Sequence, residues 1–499
     1  MNRIFNLIWS KTKERWIVVS EKVKGNGKVP SSPLKSFALL AALFAAAGPA
    51  YGLDPGALPS GGTITAGSGT ISSSGAQMTV NQSSQQMIAN WQSFNIGQNA
   101  AVRFNQPSVT ASALNRITDQ NPTQIMGSLS SNGQVFLLNP SGIIFGKTAT
   151  VNVGGLVASS LTMLDSDYLA GKNKFTNTGT AGEILNQGRI NVSNGGVVAL
   201  IAPKVTNEGS ITANSGSALL AAGNQVTLDF TGDGLISYTV DQGAVDALVE
   251  NKGLIKADGG LVVMTAKAAD ALRNANVINS GAIEARTIEN KAGRILLLSD
   301  MQSGQTTVSG TLDASAPNSG DGGFIETSGA KVKIADGTKV TTLASQGKTG
   351  TWLIDPTNFT ISAGIASPTD SGIGATTLET NLGDGNVTIA TSATANPPDL
   401  GDINVNAAVN WSANTLTLTA HHNIYINNTI NATGSGNLTL AAGTTISAIV
   451  PVSIAGIFTL TSGTWSQTGA LQSFFAKDFR IAGGTFIRAT GGNGSSGSP

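Results

Sequence analysis

Few residues in this 499-residue chain stand at spacings that could do chemistry. Its two histidines, His421 and His422, are adjacent. Read as strand residues they point to opposite faces, which makes them a poor metal pair. Gly347-Lys348-Thr349 resembles the end of a phosphate-binding loop, but position 342 is Thr rather than Gly and no helical pattern follows. Asp and Glu total 29 and lie mostly singly, and Asp321 and Asp336 have no acidic neighbour. Sugar-cleaving sites need clustered carboxylates on one face, so no catalytic residue, metal or cofactor is expected. Asn386, Asn427, Asn431 and Asn437 each open an Asn-x-Thr sequon, as a chain rich in Asn and Thr does by chance.

The residues that do recur call for structure. Asn186-Gln-Gly-Arg-Ile190, Asn207-Glu-Gly-Ser-Ile211, Asn251-Lys-Gly-Leu-Ile255 and Asn279-Ser-Gly-Ala-Ile283 share one form. The steps of 21, 44 and 28 residues between them read as one coil, two coils, and one coil with an insertion. The first three are followed by a second alternating run, at Val197, Ala218 and Leu261. Further on, Val387-Thr-Ile389, Leu416-Thr-Leu418, Leu438-Thr-Leu440, Phe458-Thr-Leu460 and Phe479-Arg-Ile481 step by 29, 22, 20 and 21. Such triplets put two apolar side chains on one face of a strand. A period of about 20 residues is too short for a propeller blade and fits one turn of a solenoid.

The expected fold is therefore all-β: a right-handed parallel β-helix with small extra-helical strands and an N-terminal signal region. Stacked coils would line up Asn186, Asn207, Asn251 and Asn279 as a structural amide ladder, with Gly permitting the turns. The segment from 229 to 250 interrupts the rhythm and should add strands outside the coil. Residues 267–273 (KAADALR) read as the one clear helix after the signal.

Composition agrees with many short strands. Charged residues are 12% of the chain, about half the usual share, and apolar residues are 40%, which argues against disorder. A net charge of zero gives no electrostatic support for nucleic-acid binding. There is no cysteine, so an exported fold takes no stability from disulfides. A chain that crosses a membrane unfolded would find a disulfide loop an obstacle.

The N-terminus reads as an address. Residues 36–50 are uncharged, follow Lys22, Lys24, Lys28 and Lys35, and end at a small-x-small motif, Ala50-Tyr51-Gly52. The run is too short to span a bilayer, where about 20 residues are needed, so the cleaved product is not an integral membrane protein. Ahead of it, MNRIFNLIW and Lys13-Glu14-Arg15-Trp16 resemble the extended signal region of large Gram-negative autotransporters and two-partner-secretion exoproteins.

Four motifs then follow in order: Phe104-Asn105-Gln106-Pro107-Ser108, Leu114-Asn-Arg-Ile117, Asn121-Pro122-Thr-Gln-Ile-Met-Gly127, and Gly133 to Gly146 with Asn139-Pro140-Ser141-Gly142 at its centre. Together with Gly155-Leu-Val-Ala-Ser159 they resemble the haemagglutination-activity, or two-partner-secretion, domain of filamentous haemagglutinins. The Asn-x-Gly-x-Ile repeats and Gly350-Thr-Trp-Leu-Ile-Asp-Pro356 resemble the β-helical parts of the same exoproteins. The family commonly has Asn-Pro-Asn-Gly where this chain has Ser141, and no separate Asn-Pro-Asn-Leu element is present. Ser keeps a turn-forming side chain at that position. These exoproteins usually run to thousands of residues, so the length is a larger departure.

The resemblance implies an export role. Asn105, Gln106, Pro107, Asn121, Pro122, Asn139, Pro140, Ser141 and Gly142 become the expected transporter-recognition motifs. Their partner would be an outer-membrane β-barrel transporter with periplasmic binding domains, and the released chain could meet a host-cell or bacterial surface receptor. The expected organisation is residues 1–52 as extended signal peptide, 53–300 as the secretion and haemagglutination-activity β-helix, 301–487 as continuing repeats, and 488–499 as a flexible Gly/Ser tail. The expected function is a secreted or surface-exposed adhesin. A truncated toxin-delivery stalk and a haem-acquisition exoprotein are the alternatives.

Overall fold

The computed structural model describes residues 52–230, 235–364, 370–393, 400–467 and 473–488, and the backbone of 5–10 and 15–20. The chain forms two compact units, Met1–Gly52 and Leu53–Pro499. In the first, Phe5–Ser10 and Arg15–Ser20 pair antiparallel, from Phe5 opposite Ser20 to Ser10 opposite Arg15. The apolar stretch 36–50, the Ala50-Tyr51 side of the cleavage motif and the tail beyond 488 lie outside the described residues.

The second unit is a parallel β-solenoid closed at its start by antiparallel strands. Gly69–Ser74 turns back onto Gln77–Gln82, and Thr63–Ala66 runs against Gln86–Trp91. From there successive coils stack in parallel. One face is a sheet of 11 strands from Gly69–Ser74 to Lys339–Thr341. A second face begins at Gln86–Trp91, continues through Ser112–Ile117 and Gln134–Leu138, and carries on into the last coils.

Side chains on this second face fall into columns because equivalent residues pair in register. One column faces the bore: Met87, Ala113, Val135 and Leu156 in the early coils, and Val387, Leu416, Leu438 and Phe458 in the late ones. The neighbouring column faces outward. It runs Ile88, Leu114, Phe136, Val157, Ala199, Leu219, Val263, Leu296, then Glu326, Leu353, Thr388, Thr417, Thr439 and Thr459. The apolar-polar-apolar triplets of the sequence are thus one per coil, and Phe458 also pairs with Phe479.

Several expectations are corrected. The 44-residue step is a single coil, because Asn207 pairs directly with Asn251. The extra length leaves the coil as a hairpin, Gln225–Asp229 against Ser237–Gln242, which with Asn173–Thr176 makes a three-stranded antiparallel sheet. Extra-helical strands are therefore present, but they begin before 229, and Ala247–Asn251 already belongs to the next coil. Residues 267–273 are not a helix. Ala268 bridges to Ala244, Lys267 donates to the carbonyls of Val240 and Asp241, and Leu272 is 95% exposed. Seven residues without a buried apolar face do not sustain a helix. Among the described residues the helices are α1, Asp165–Leu169, and α2, Ala375–Gly383.

The run at Val197, Ala218 and Leu261 does not alternate either. Val197–Ala202, Ser217–Ala222 and Leu261–Ala266 are buried on both faces. The three-stranded sheet and α1 cover the outward column and build a second core containing Phe136, Tyr168, Phe175, Val226 and Leu228. A sheet covered on both sides shows apolar runs instead of alternation. Finally, His421 and His422 lie in a bend, not a strand.

Candidate functional site: the turns that tie the first coils

The four recurrent asparagines stand directly over one another. Asn186 donates to Asn207, Asn207 to Asn251 and Asn251 to Asn279, each amide-to-amide at 2.7 Å, and all four are fully buried. The ladder lies between Phe145 and Val308, which occupy the same column. The Gly two residues after each Asn has its own cause. A Cβ on Gly209 would sit 2.1 Å from the carbonyl of Gly188, and one on Gly253 2.0 Å from that of Gly209. Backbones stacked this closely admit no side chain.

The 139–142 turn is a different kind of tie. Gly142 N donates to Asn139 O at 2.9 Å, and the Asn139 side chain accepts from Ser141 N at 2.9 Å. Asn, Pro and Gly at the first, second and fourth positions are favoured in a tight turn of this kind. Asn139 is fully buried, and its amide donates to Asn121 O at 3.1 Å and Thr123 Oγ1 at 2.9 Å, one coil earlier. Ser141 Oγ donates to Asp119 O at 2.9 Å. On the other side Gly182 N donates to Pro140 O at 2.7 Å, and Ile143 N to Glu183 O at 3.1 Å. Gly142 has φ +105, and a Cβ there would lie 2.6 Å from Glu183 O. The turn is thereby fixed to the coil before it and the coil after it.

Of the expected recognition residues, Asn121 and Pro122 share this cluster with Asn139, Pro140, Ser141 and Gly142. Asn105, Gln106 and Pro107 do not. Gln106 is buried near Gln134, at the opposite end of the Gln134–Leu138 strand, roughly 16 Å away along the chain. There its amide bridges Gln82 Oε1 at 2.9 Å and Ala111 O at 3.2 Å, while Asn132 and Ser131 donate back to it. Asn105 donates to Asn81 at 2.8 Å, and Pro107 is exposed. Sequence reading did not single out Asp119, Glu183 or Gln82, which hold these groups through backbone or amide contacts that leave no motif, and gave no role to Thr123 within its motif. The turn dipeptide Asn132-Gly133 was a usable signal for the Gln106 cluster.

The outer cover adds another tie. Tyr168 donates or accepts at Ser112 Oγ over 2.6 Å, and burial pushes its phenol up to about 12, partly offset by that hydrogen bond. Arg116 pairs with Asp165 on α1. The acidic residues considered for catalysis make local structural contacts: Asp321 accepts from the backbone Lys348 N at 2.8 Å, and Asp336 from the side-chain Thr377 Oγ1 at 3.4 Å. His422 Nδ1 lies 2.9 Å from Asp402. Among the described residues, no three His, Asp or Glu side chains could together hold a metal ion, and no helix is long and apolar enough to cross a membrane.

A long parallel solenoid, tied at its first coils by buried amide turns and preceded by an export address, defines a class of exported scaffold. Comparison with known proteins agrees. A family profile described as the TPS secretion domain matches residues 56–314, and one described as the Extended Signal Peptide of the Type V secretion system matches residues 1–50. The chain belongs to the two-partner-secretion exoproteins, and is a secreted protein of a Gram-negative bacterium whose export implies a cognate outer-membrane transporter. It is similar to a heme/hemopexin-binding protein of Haemophilus influenzae, 34% identical over 250 residues, covering 49% of this chain and 27% of that protein. A second heme/hemopexin-binding protein of that species is 28% identical over 245 residues, covering 45% of this chain and 26% of its own length. The match thus spans about a quarter of those relatives. The crystal structure of the HMW1 secretion domain from Haemophilus influenzae aligns with 86% of this chain and all of that one, at 24% identity and a TM-score of 0.48.

Proposed function

We propose that this exoprotein is an adhesin, a displayed or released solenoid that binds a cell surface. Residues 53–300 direct passage through a β-barrel transporter with periplasmic binding domains, and residues 301–487 carry the displayed coils. The 139–142 turn serves export rather than adhesion. The observation that supports the export part of this reading is the turn itself, which lies within the stretch matched to the secretion domain and is bonded to the coils on both sides. A solenoid folds by adding each repeat to the last, so a fault in an early tie delays every later coil. Replacing Pro140 and Gly142 together should cost about 2–4 kcal/mol of local stability. With the cognate transporter present, the double variant should accumulate in the periplasm or be degraded while the same chain refolds alone. Normal extracellular yield with lost cell binding would transfer the turn to the adhesive surface.

The names of the two relatives favour a second reading, binding of haem or of the haem carrier haemopexin. Titrating the secreted protein with haem, and capturing haemopexin on it, separates the readings. Saturable binding of either without cell attachment replaces adhesion.

A further inference from the structure

We propose that α2 is a built-in break that divides the solenoid into two blocks which open independently. The 11-stranded face stops at Lys339–Thr341, which pairs with Thr311–Asp313 and with no later strand among the described residues. The next strand on that side is Val409–Trp411, which pairs forward with Ile430–Ala432. α2 packs against both.

Its two edges imitate the strand that is missing. In a parallel sheet, one residue donates its N–H to the residue before its partner and accepts from the residue after it. The side-chain amide of Asn381 does the same around Lys339: Nδ2 donates to Thr338 O at 3.0 Å, and Oδ1 accepts from Val340 N at 2.8 Å. Asn381 is 2% exposed, so these bonds are shielded from water. Toward the other strand, Glu379 accepts from Asn410 N at 2.6 Å, and Asn414 Nδ2 donates to Leu382 O at 2.8 Å. Leu378 and Leu382, one helical turn apart, face the bore together with Ala375 and replace the inward side chains of a strand. The helix thus satisfies both sheet edges without joining them.

Solenoid stability is a sum over neighbouring coils. Across α2 the other two faces remain paired, Thr351–Asp355 with Asn386–Ala390 and Phe359–Ser362 with Ile403–Val405. Among the described residues the third ladder is absent there. Coupling between coils is weakest at this junction, and the earlier block can complete its fold while later coils are still arriving.

The test is hydrogen exchange of the whole mature chain in increasing denaturant, followed by mass spectrometry. Peptides before α2 should share one opening midpoint and peptides from 386 to 467 another, with the change falling inside α2. In Asn381→Leu, the peptide holding Val340 should exchange about three- to tenfold faster, with peptides around Ile283 unchanged. Asn381→Asp, which keeps the acceptor and loses the donor, should fall between. A single midpoint from 80 to 467 overturns the proposal, as does a break near 314 where the family match ends. The wild-type measurement decides this even if the Asn381 variants fail to fold.

Discussion

One outward column of the second face runs the length of the molecule and changes character on the way. In the early coils it reads Ile88, Leu114, Phe136, Val157, Ala199, Leu219, and the chain covers it with its own three-stranded sheet. In the late coils it reads Thr388, Thr417, Thr439, Thr459 and meets solvent. The inward column is apolar throughout. Coil stacking therefore sets the inward residues everywhere, while the outward ones report only whether something lies on top. The early part holds two cores sharing one sheet, and the late part a single core.

The largest effect should come from cutting this column at its two ends. Phe136 is 2% exposed and meets Tyr168 edge-on at 5.5 Å and Phe230 at 6.4 Å. Phe136→Ala should cost about 3–5 kcal/mol, read as faster hydrogen exchange in Gln134–Leu138 and in the covering sheet. Thr417→Ala, in the same column, should stay within about 0.5 kcal/mol. Equal effects would mean that the cover contributes little.

The asparagine ladders sharpen the contrast. Asn207 is buried with partners above and below, so Asn207→Leu leaves a donor and an acceptor unpaired and should cost about 2–3 kcal/mol. In the late coils Asn427 donates to Asn406 at 2.8 Å on the exposed surface, where water can replace either partner. Asn427→Ala should change stability by less than about 0.5 kcal/mol when the two variants are compared with the unmodified chain by urea denaturation.

These differences mark what the sequence could disclose. The coil repeat and the alignment of Asn186, Asn207, Asn251 and Asn279 were legible because stacking imposes the same residue at each step. The 44-residue step was misread as two coils because length does not separate a coil from a hairpin of similar length. The extra strands at Gln225–Asp229 look like any other strand until their antiparallel partner is known. α2 was missed because Thr376, Thr377, Glu379 and Asn381 hide the Leu378–Leu382 spacing, and Asn381 earns its place through the edge of a strand about 40 residues earlier. For the recognition residues, the sequence offered their order and the turn dipeptides, but not that Asn121 and Pro122 lie beside 139–142 while Gln106 sits at the other end of the strand.

Alkali should detach the cover before it opens the bore. Tyr168 and Tyr238 are both pushed up to about 12, chiefly by burial; for Tyr238 the Glu326 charge adds to this, and the Thr265 hydrogen bond and Arg294 oppose it. The neutral phenol is the form the fold favours. Stability is therefore complete below the ordinary value of about 10 and is lost as pH rises through about 12. Tyr168 alone should account for roughly 2 kcal/mol. Tyrosinate absorbance should rise together with exchange in Gln225–Asp229 and Ser237–Gln242, ahead of Val387 and its neighbours. Release of the phenols only on global unfolding would merge the two cores into one cooperative unit.

Acid should produce the smallest change, confined to two stacked turns. Asp258 is 8% exposed; burial raises its carboxyl, but hydrogen bonds from the Arg286 side chain and backbone, and from Lys256, outweigh that and hold it below the usual range. Arg286 reaches it at 3.0 Å and Glu284 at 3.0 Å, from the next coil. A depressed carboxyl contributes stability that is present above its unfolded value, about 4, and is lost as pH falls through the lower folded value. As pH falls below the ordinary carboxylate range the 256–258 and 284–286 turns should therefore lose protection against exchange, relative to the intrinsic rate at each pH. The asparagine ladder a few residues away carries no titrating group and should hold its protection. Arg286→Ala should loosen the same turns already at neutral pH and abolish most of their further response to acid. If instead the ladder amides of Asn251 and Asn279 open in step with the turn, the ion pairs and the ladder form one unit, and the coils of the early part are coupled through their turns as well as through their sheets.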